Sequence, residues 1–308
     1  MLVMITGGAG FIGANLTRHM ELAGHSVVVL DDLSTGFDTN LDGTAAQLVV
    51  GSILDPEVVA DTAEGADAIV HLGARPSVPR SIADPVASHL ANATGTVNVL
   101  EAARRDGGRQ VVTAGSSSVY GANPELPKHE GLATRPVSPY AASKLAAEAY
   151  TLAYGHSYGL PTLSFRFFNV FGPLQAAGHA YAAVIPAFVD AALRHQPVPV
   201  HGDGTQSRDF TFVDTVCAVI TDAVNRGVSN DQPVNLAYGS RTDLLTVLDL
   251  IRDLIDGDVT VEHHPPRAGD VAHSQASDDR VRDLFPDIAP VPLDIGLKAT
   301  VDWMRTVI

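Results

Sequence analysis

Three glycines at a spacing of three, Gly7, Gly10 and Gly13, stand between an apolar run at residues 2–5 and a stretch with helical character at 12–22. A second apolar run, 26–30, ends in Asp31 and Asp32. The segment reads as strand, turn, helix and strand with an acid at its end. Each part has a physical purpose. Gly7 permits a tight turn, Gly10 leaves no side chain in the way of a pyrophosphate, and Gly13 lets helix and strand pack closely. Free N–H groups and the dipole at the helix start favour phosphates. Asp31 lies eighteen residues beyond Gly13, about the spacing at which a carboxylate accepts hydrogen bonds from an adenosine ribose. It would repel a 2′-phosphate, and no arginine follows nearby. The pattern predicts NAD rather than NADP.

The strand–helix rhythm continues. Strands are expected at 47–50, 67–71, 109–114 and 161–167, and helices at 56–63, 85–105 and 139–158, with residues 71–81 as a loop. The last helix has a proline start and Gly159 as a stop. Such alternation predicts an α/β fold: a Rossmann-type, doubly wound parallel sheet covered on both faces. After Pro173 the rhythm changes. A glycine-containing loop precedes a helix at 185–194, short strands around a turn fill 197–213, and a helix follows at 214–225. A strand at 234–237 has the character to rejoin the first sheet. Then come a helix at 242–255, a strand at 259–263, an extended loop, a short helical region at 277–285 and a terminal helix. Residues 1–170 are expected to form the dinucleotide-binding domain, with a returning segment near 210–240. Residues 171–308 would mainly form a smaller, interleaved and discontinuous C-terminal domain.

Composition narrows the partners. The 308 residues carry 35 acids against 20 lysines plus arginines, a formal net charge of −15, which argues against nucleic acid. One cysteine, Cys217, excludes an intrachain disulfide and reads as a buried small hydrophobe in a reducing compartment. No 18-residue stretch is continuously apolar, so no membrane span is expected and a cytoplasmic location is. The twelve histidines show no metal-ligand spacing: His263 and His264 are adjacent and would face opposite ways in a strand, and His129, His156 and His201 are isolated. No metal is expected.

The chemistry-bearing residues lie in the first half. Tyr140 and Lys144, four apart near a helix start, share one face. A nearby ammonium, with a cationic nicotinamide ring, favours the phenolate form, so the tyrosine is expected to be tuned down toward a neutral-pH base. Ser116, Ser117 and Ser118 follow the fifth strand at the sheet edge where open α/β folds bind ligands. One of the three can hold the oxygen on which the tyrosine works.

The segments TGGAGFIG at 6–13, DDLSTG at 31–36, HLGA at 71–74, NATGTVNVLEAA at 92–103, SSSVYG at 116–121 and SPYAASK at 138–144 form a recognisable series. It continues with RFFNVFGP at 166–173, GDGTQSRDFTFVDTV at 202–216 and PRAGDV at 266–271. The chain thereby resembles the extended short-chain dehydrogenase/reductase family, in its NAD-dependent epimerase/dehydratase branch, over nearly its whole length. The likeness is nearest to members that invert C4 of a UDP-hexose through a transient 4-keto sugar.

The resemblance implies further roles. Ser116, four residues before Tyr120, matches the catalytic serine, with Ser117 the alternative, beside Tyr140 and Lys144. Cofactor contacts are implied for Gly7, Gly10, Phe11, Ile12, Asp31, Asn92, Tyr140 and Lys144, with Leu72, Gly73 and Ala74 lining the cofactor and Ser34 and Gly36 in the ribose-side loop. Family members usually carry Gly-Asp-Ile/Val after the third strand. Here Gly51-Ser52-Ile53 stands there, leaving Ser52 a weaker adenine partner. Asn169, Arg208, Arg267 and Asp270 match substrate positions: a sugar-nucleotide contact, two diphosphate partners and a uridine-ribose acid. In the bland alternative, Arg208 and Asp209 form a local ion pair and Asn169 caps a turn. Ser274 matches the position that governs room for a 2-N-acetyl group, and a small residue there leaves UDP-GlcNAc/GalNAc open beside UDP-glucose/galactose. UDP-glucuronate 4-epimerisation and net reduction of a nucleotide sugar are alternatives. Dehydratases of the family carry an added acid pair in this segment, and this chain has Ser118-Val119-Tyr120 with no carboxylate, which disfavours elimination. A nucleotide-binding module without turnover would not need Tyr140, Lys144 and Ser116. A homodimer through helices at about 87–105 and 140–158 is also implied.

Overall fold

The computed structural model describes residues 1–177, 183–255, 258–265 and 272–308. Its first half is a run of strands and helices in chain order. β1 (Leu2–Thr6), α1 (Phe11–Leu22), β2 (Ser26–Asp31), β3 (Gln47–Val50), α2 (Pro56–Ala63) and β4 (Ala68–His71) lead to α3 (Val78–Ala83), α4 (Pro85–His89) and α5 (Gly95–Arg105). β5 (Gln110–Ser116), α6 (Pro139–Tyr158), β6 (Thr162–Phe167) and β7 (Val170–Phe171) follow. The second half holds α7 (Val184–Leu193), β8 (Val198–His201), β9 (Ser207–Arg208), β10 (Thr211–Phe212), α8 (Val213–Arg226) and β11 (Val234–Leu236). It ends with β12 (Thr242–Asp243), α9 (Leu244–Arg252), β13 (Val261–His264), α10 (Asp279–Leu284) and α11 (Leu293–Val307).

The main sheet has the order β11-β6-β5-β4-β1-β2-β3. Every pairing in it is parallel. The doubly wound α/β reading is therefore correct, and the strand expected near 234–237 does rejoin the first sheet beside β6. Alternation explains the layering. Val3 and Ile5 sink into one core, under α1 and α8, while Met4 between them enters a second core with Val59, Leu100 and Ala103 of α2 and α5. A strand buried on both faces needs apolar residues at every position, which is why these runs do not alternate with polar ones. The smaller C-terminal α/β part is interleaved with the sheet and carries the short strand pairs.

Three expectations change. Residues 71–81 were expected to be loop, but 78–83 form helix, capped by Ser77 and admitted by Pro79 in its first turn. The single helix expected over 85–105 contains a π turn at Leu90–Thr94. The strands of 197–213 exist but do not pair around one turn: β8 joins β13, β9 joins β12, and β10 joins β7. Each finds its partner far along the chain, where tertiary packing decides.

α6 forms as its sequence dictates. Ser138 caps it by accepting from the Ala141 N–H, Pro139 supplies a preset φ at the first position, and Gly159 ends it at φ +66°. Tyr140, Lys144 and Glu148 then fall on one stripe, facing β5 and β6.

Candidate active site

The C-terminal ends of β1, β2, β4 and β5 meet at one edge of the sheet, where the strand order reverses. Gly7 sits at φ +71°, and a Cβ on it would lie 2.7 Å from the Gly73 amide nitrogen. A Cβ on Gly13 would stand 2.2 Å from the Gly7 carbonyl oxygen, and one on Gly36 2.8 Å from that of Ala9. Gly10 is the N-cap of α1 and gives it no side-chain cap, so the first-turn N–H groups are left to a ligand. Asp31 accepts from the Ala9 N–H at 3.0 Å and the Leu33 N–H at 2.9 Å, which ties the glycine turn to the end of β2. Burial pushes its carboxyl pKa up. This bare, donor-rich turn with an acid at its side fits a dinucleotide. Around it, Phe11, Ile12 and Leu72 pack on the core, Ile53 packs against Gly95, and the Ser52 hydroxyl accepts from the Leu54 N–H at 3.2 Å.

A buried relay braces this edge, and the sequence reading did not find it. The Gly73 N–H donates to Thr6 Oγ1 (3.1 Å), which meets His71 Nδ1 (2.7 Å); His71 Nε2 meets Thr96 Oγ1 (3.0 Å), which donates to the Asn92 carbonyl (2.6 Å). Because the Thr96 proton is committed to Asn92, His71 must donate from Nε2 and accept at Nδ1. Burial and the nearby Lys144 charge pull its pKa down to about 3, so it stays neutral. A histidine closing an apolar strand was the available signal.

Beside the relay lie Ser116, Tyr140 and Lys144. Ser116, the last residue of β5, lies beside the Tyr140 side chain and acts to lower its pKa, and the Ser118 hydroxyl donates to Ser116 Oγ at 2.9 Å. Of the three serines, the structure brings Ser116 to the tyrosine. Lys144 Nζ donates to the Ala114 carbonyl at 2.9 Å, and burial pulls its pKa down to about 8. Burial raises the Tyr140 pKa and outweighs the lowering by Ser116, so these protein groups alone do not favour the phenolate. Asn92 is held within the protein at this edge. Its side chain grips the Arg75 backbone from both ends and donates to Ser143 Oγ at 2.9 Å, and Ser143 in turn holds the Tyr140 carbonyl at 2.8 Å.

A cavity of about 370 Å³ opens nearby, lined by Ser77, Val78, Asn169, His201, Gln206 and Arg208 among others. Asn169, at φ +31°, donates to the Asp209 carbonyl at 3.1 Å. Arg208 Nη1 donates to the carbonyls of Ser207 and Ala272 at 2.9 and 3.3 Å. The Asp209 carboxylate, buried with its pKa pushed up to about 6, accepts from Ser240 Oγ and the Ala276 N–H. Ser274 is half-buried, and its N–H donates to the Ser207 carbonyl. His201, a half-buried group whose Nδ1 meets the Pro265 carbonyl at 3.1 Å, also lines the cavity, with its ring tilted against that of His264 at a centroid distance of 5.3 Å. Arg267 and Asp270 lie outside the described residues. Among the described residues, no group of three His, Cys, Asp or Glu side chains could hold a metal ion, and no helix is long and apolar enough to cross a membrane.

Fold and site together define a dinucleotide-binding α/β protein with a serine, a tyrosine and a lysine converging beside a second, ligand-sized cavity. The family described as "NAD dependent epimerase/dehydratase family" matches residues 3–237. The UDP-glucose 4-epimerase of Mycolicibacterium smegmatis is 36% identical, with 99% of each chain covered. Among solved structures, the UDP-N-acetylglucosamine 4-epimerase of Methanobrevibacter ruminantium, in complex with UDP-N-acetylmuramic acid, superposes with a TM-score of 0.94 at 30% identity, covering 99% of this chain and 98% of that one. The UDP-glucose 4-epimerase of Thermus thermophilus, in complex with NAD, gives 0.88 at 32% identity with both chains fully covered. The chain belongs to the NAD-dependent epimerase/dehydratase family, and its cofactor is NAD.

Proposed function

We propose that this protein is a 4-epimerase of a UDP-hexose that retains NAD through the cycle. The observation that carries the reading is the placing of Ser116 beside Tyr140 at the sheet edge, in a segment, SSSVYG, that carries no carboxylate. Gly7, Gly10 and Asp31 would hold NAD, with Phe11, Ile12, Ser34, Gly36, Ser52, Ile53, Leu72, Gly73 and Ala74 around it. When bound, NAD supplies a hydride acceptor that takes and returns the C4 hydrogen. Tyr140 removes the O4 proton and gives it back, and Ser116 holds that oxygen in line. Lys144, one helical turn on, offers a positive charge while protonated, which favours the phenolate that burial alone resists. Arg208 and Asn169 anchor the nucleotide half, with Arg267 and Asp270 assigned to the same task. Remote binding of this kind positions the reactive sugar while leaving it free to turn.

The small, half-buried Ser274 supports UDP-GlcNAc/GalNAc as further substrates. Exposed apolar side chains, Leu90 in the 87–105 stretch and Tyr150 of α6 beside the exposed Ala142 and Ala149, support a homodimer through helices at about 87–105 and 140–158, to be read by light scattering. The deciding experiment is product analysis after separate incubation with UDP-galactose, UDP-GalNAc and UDP-galacturonate. Tyr140→Phe should lower turnover by roughly 10²–10⁴-fold with UDP affinity kept. Normal turnover in that variant refutes the base assignment, and consumption of added NADPH without epimerised product favours a reductase.

A further inference from the structure

We infer that Ser81 is a positioning residue that locks the catalytic turn of α6 to the wall of the substrate cavity. The inference rests on the role proposed for Tyr140 above. At the start of α6 the Ala141 N–H is served by Ser138 Oγ and the Ala142 N–H by the Ser138 carbonyl. Pro139 has no N–H to satisfy. That leaves the N–H of Tyr140, which α6 cannot satisfy itself. It donates to Ser81 Oγ at 3.0 Å, from a different helix.

The Ser81 hydroxyl spends its one proton on the Val78 carbonyl at 2.7 Å, so its orientation is set. Ser81 has no exposed surface, and water cannot replace either bond. Val78 and the flanking Ser77 and Pro79 line the cavity. The cavity wall, one fixed hydroxyl and the Tyr140 backbone thus form a two-bond link. Ser77 sharpens the case. It stands at φ +100°, a conformation costly for a residue with a Cβ, and its hydroxyl caps the Arg80 N–H. Strain of this kind persists only where the surroundings over-determine it. The link through Ser81 is one such constraint, and it places the strained residue one short helix from the reacting phenol.

The test uses the full chain with NAD and UDP-galactose. Ser81→Ala should lower kcat roughly 10- to 100-fold, the scale of a small misplacement of a reacting group, while KM stays within about threefold. Ser81→Thr, which keeps the hydroxyl, should recover most of kcat. Hydrogen exchange of the peptide covering 139–145 should quicken in Ser81→Ala and not in Ser81→Thr. If the alanine variant does not fold, Ser81→Cys, which keeps the volume and weakens the acceptor, should give a kcat below that of Ser81→Thr and faster exchange. Unchanged kcat and exchange in the variant that folds overturn the proposal, as does a rise in KM with kcat intact. If the unsubstituted protein turns over no UDP-hexose, the functional reading fails instead, and the exchange comparison still decides the role of Ser81.

Discussion

Replacing Glu148 with alanine should unfold this protein more readily than almost any other single change on α6. Glu148 is paired with Arg166 of β6 through two hydrogen bonds, Nε to Oε2 at 2.8 Å and Nη2 to Oε1 at 2.7 Å, with side chains only 5% and 4% exposed. The guanidinium also lies over the Tyr120 ring at 4.7 Å, and its remaining nitrogen, Nη1, has no hydrogen-bond partner among the described residues. Removing the carboxylate leaves a buried cation with an aromatic face as its main compensation. Breaking one side of such a pair costs about 3–5 kcal/mol. For 308 residues, unfolding entropy near the midpoint converts that cost to a fall in Tm on the order of 5–8 °C. Urea denaturation followed by circular dichroism measures it. The double variant Glu148→Leu with Arg166→Met should lose clearly less than the sum of its parts, because no charge is left stranded. A single-variant loss under about 1 kcal/mol, the scale of an exposed pair, would refute the reasoning.

Two further outcomes follow from the site. Burial pulls the Lys144 pKa down to about 8, so its positive charge is present below that pH and lost as pH rises through it. Turnover should therefore decline on the alkaline side of about 8, and a kcat profile flat to about pH 10 would remove Lys144 from the role given it. Asp31→Asn should weaken NAD binding, measured by calorimetry, and narrow the preference over NADP. It also turns an amide N–H toward one of the two backbone donors that Asp31 serves, costing about 1–3 kcal/mol of stability. Equal NAD affinity in this variant would end its ribose assignment.

Much of this was legible because it rests on local chemistry. The glycine turn, the strands that sink into two cores and the ends of α6 follow from Gly7, Val3, Met4, Ser138 and Gly159 with little help from the rest of the chain. The site was legible in part, through the four-residue spacing of Tyr140 and Lys144. What escaped was set at a distance. β9 and β10 are two residues long, and no local pattern names their partners. α3 hid behind Pro76 and Pro79, which read as turn, and the positive φ of Ser77 that admits the helix is a property of the folded chain. The direction of the Tyr140 shift depends on burial, which spacing does not report.

Two signals went unused, and they point the same way. An arginine inside the apolar run of β6 and a glutamate on the alanine-rich face of α6 are each costly to bury alone. Together they imply a pair, and the pair implies that α6 lies across β6 with Glu148 turned inward. On a helix, that orientation carries Lys144 and Tyr140 inward as well, one and two turns back. The tyrosine proposed as the base is thus aimed by a charge pair eight residues away, and those two buried charges would have located the candidate site's face without any motif.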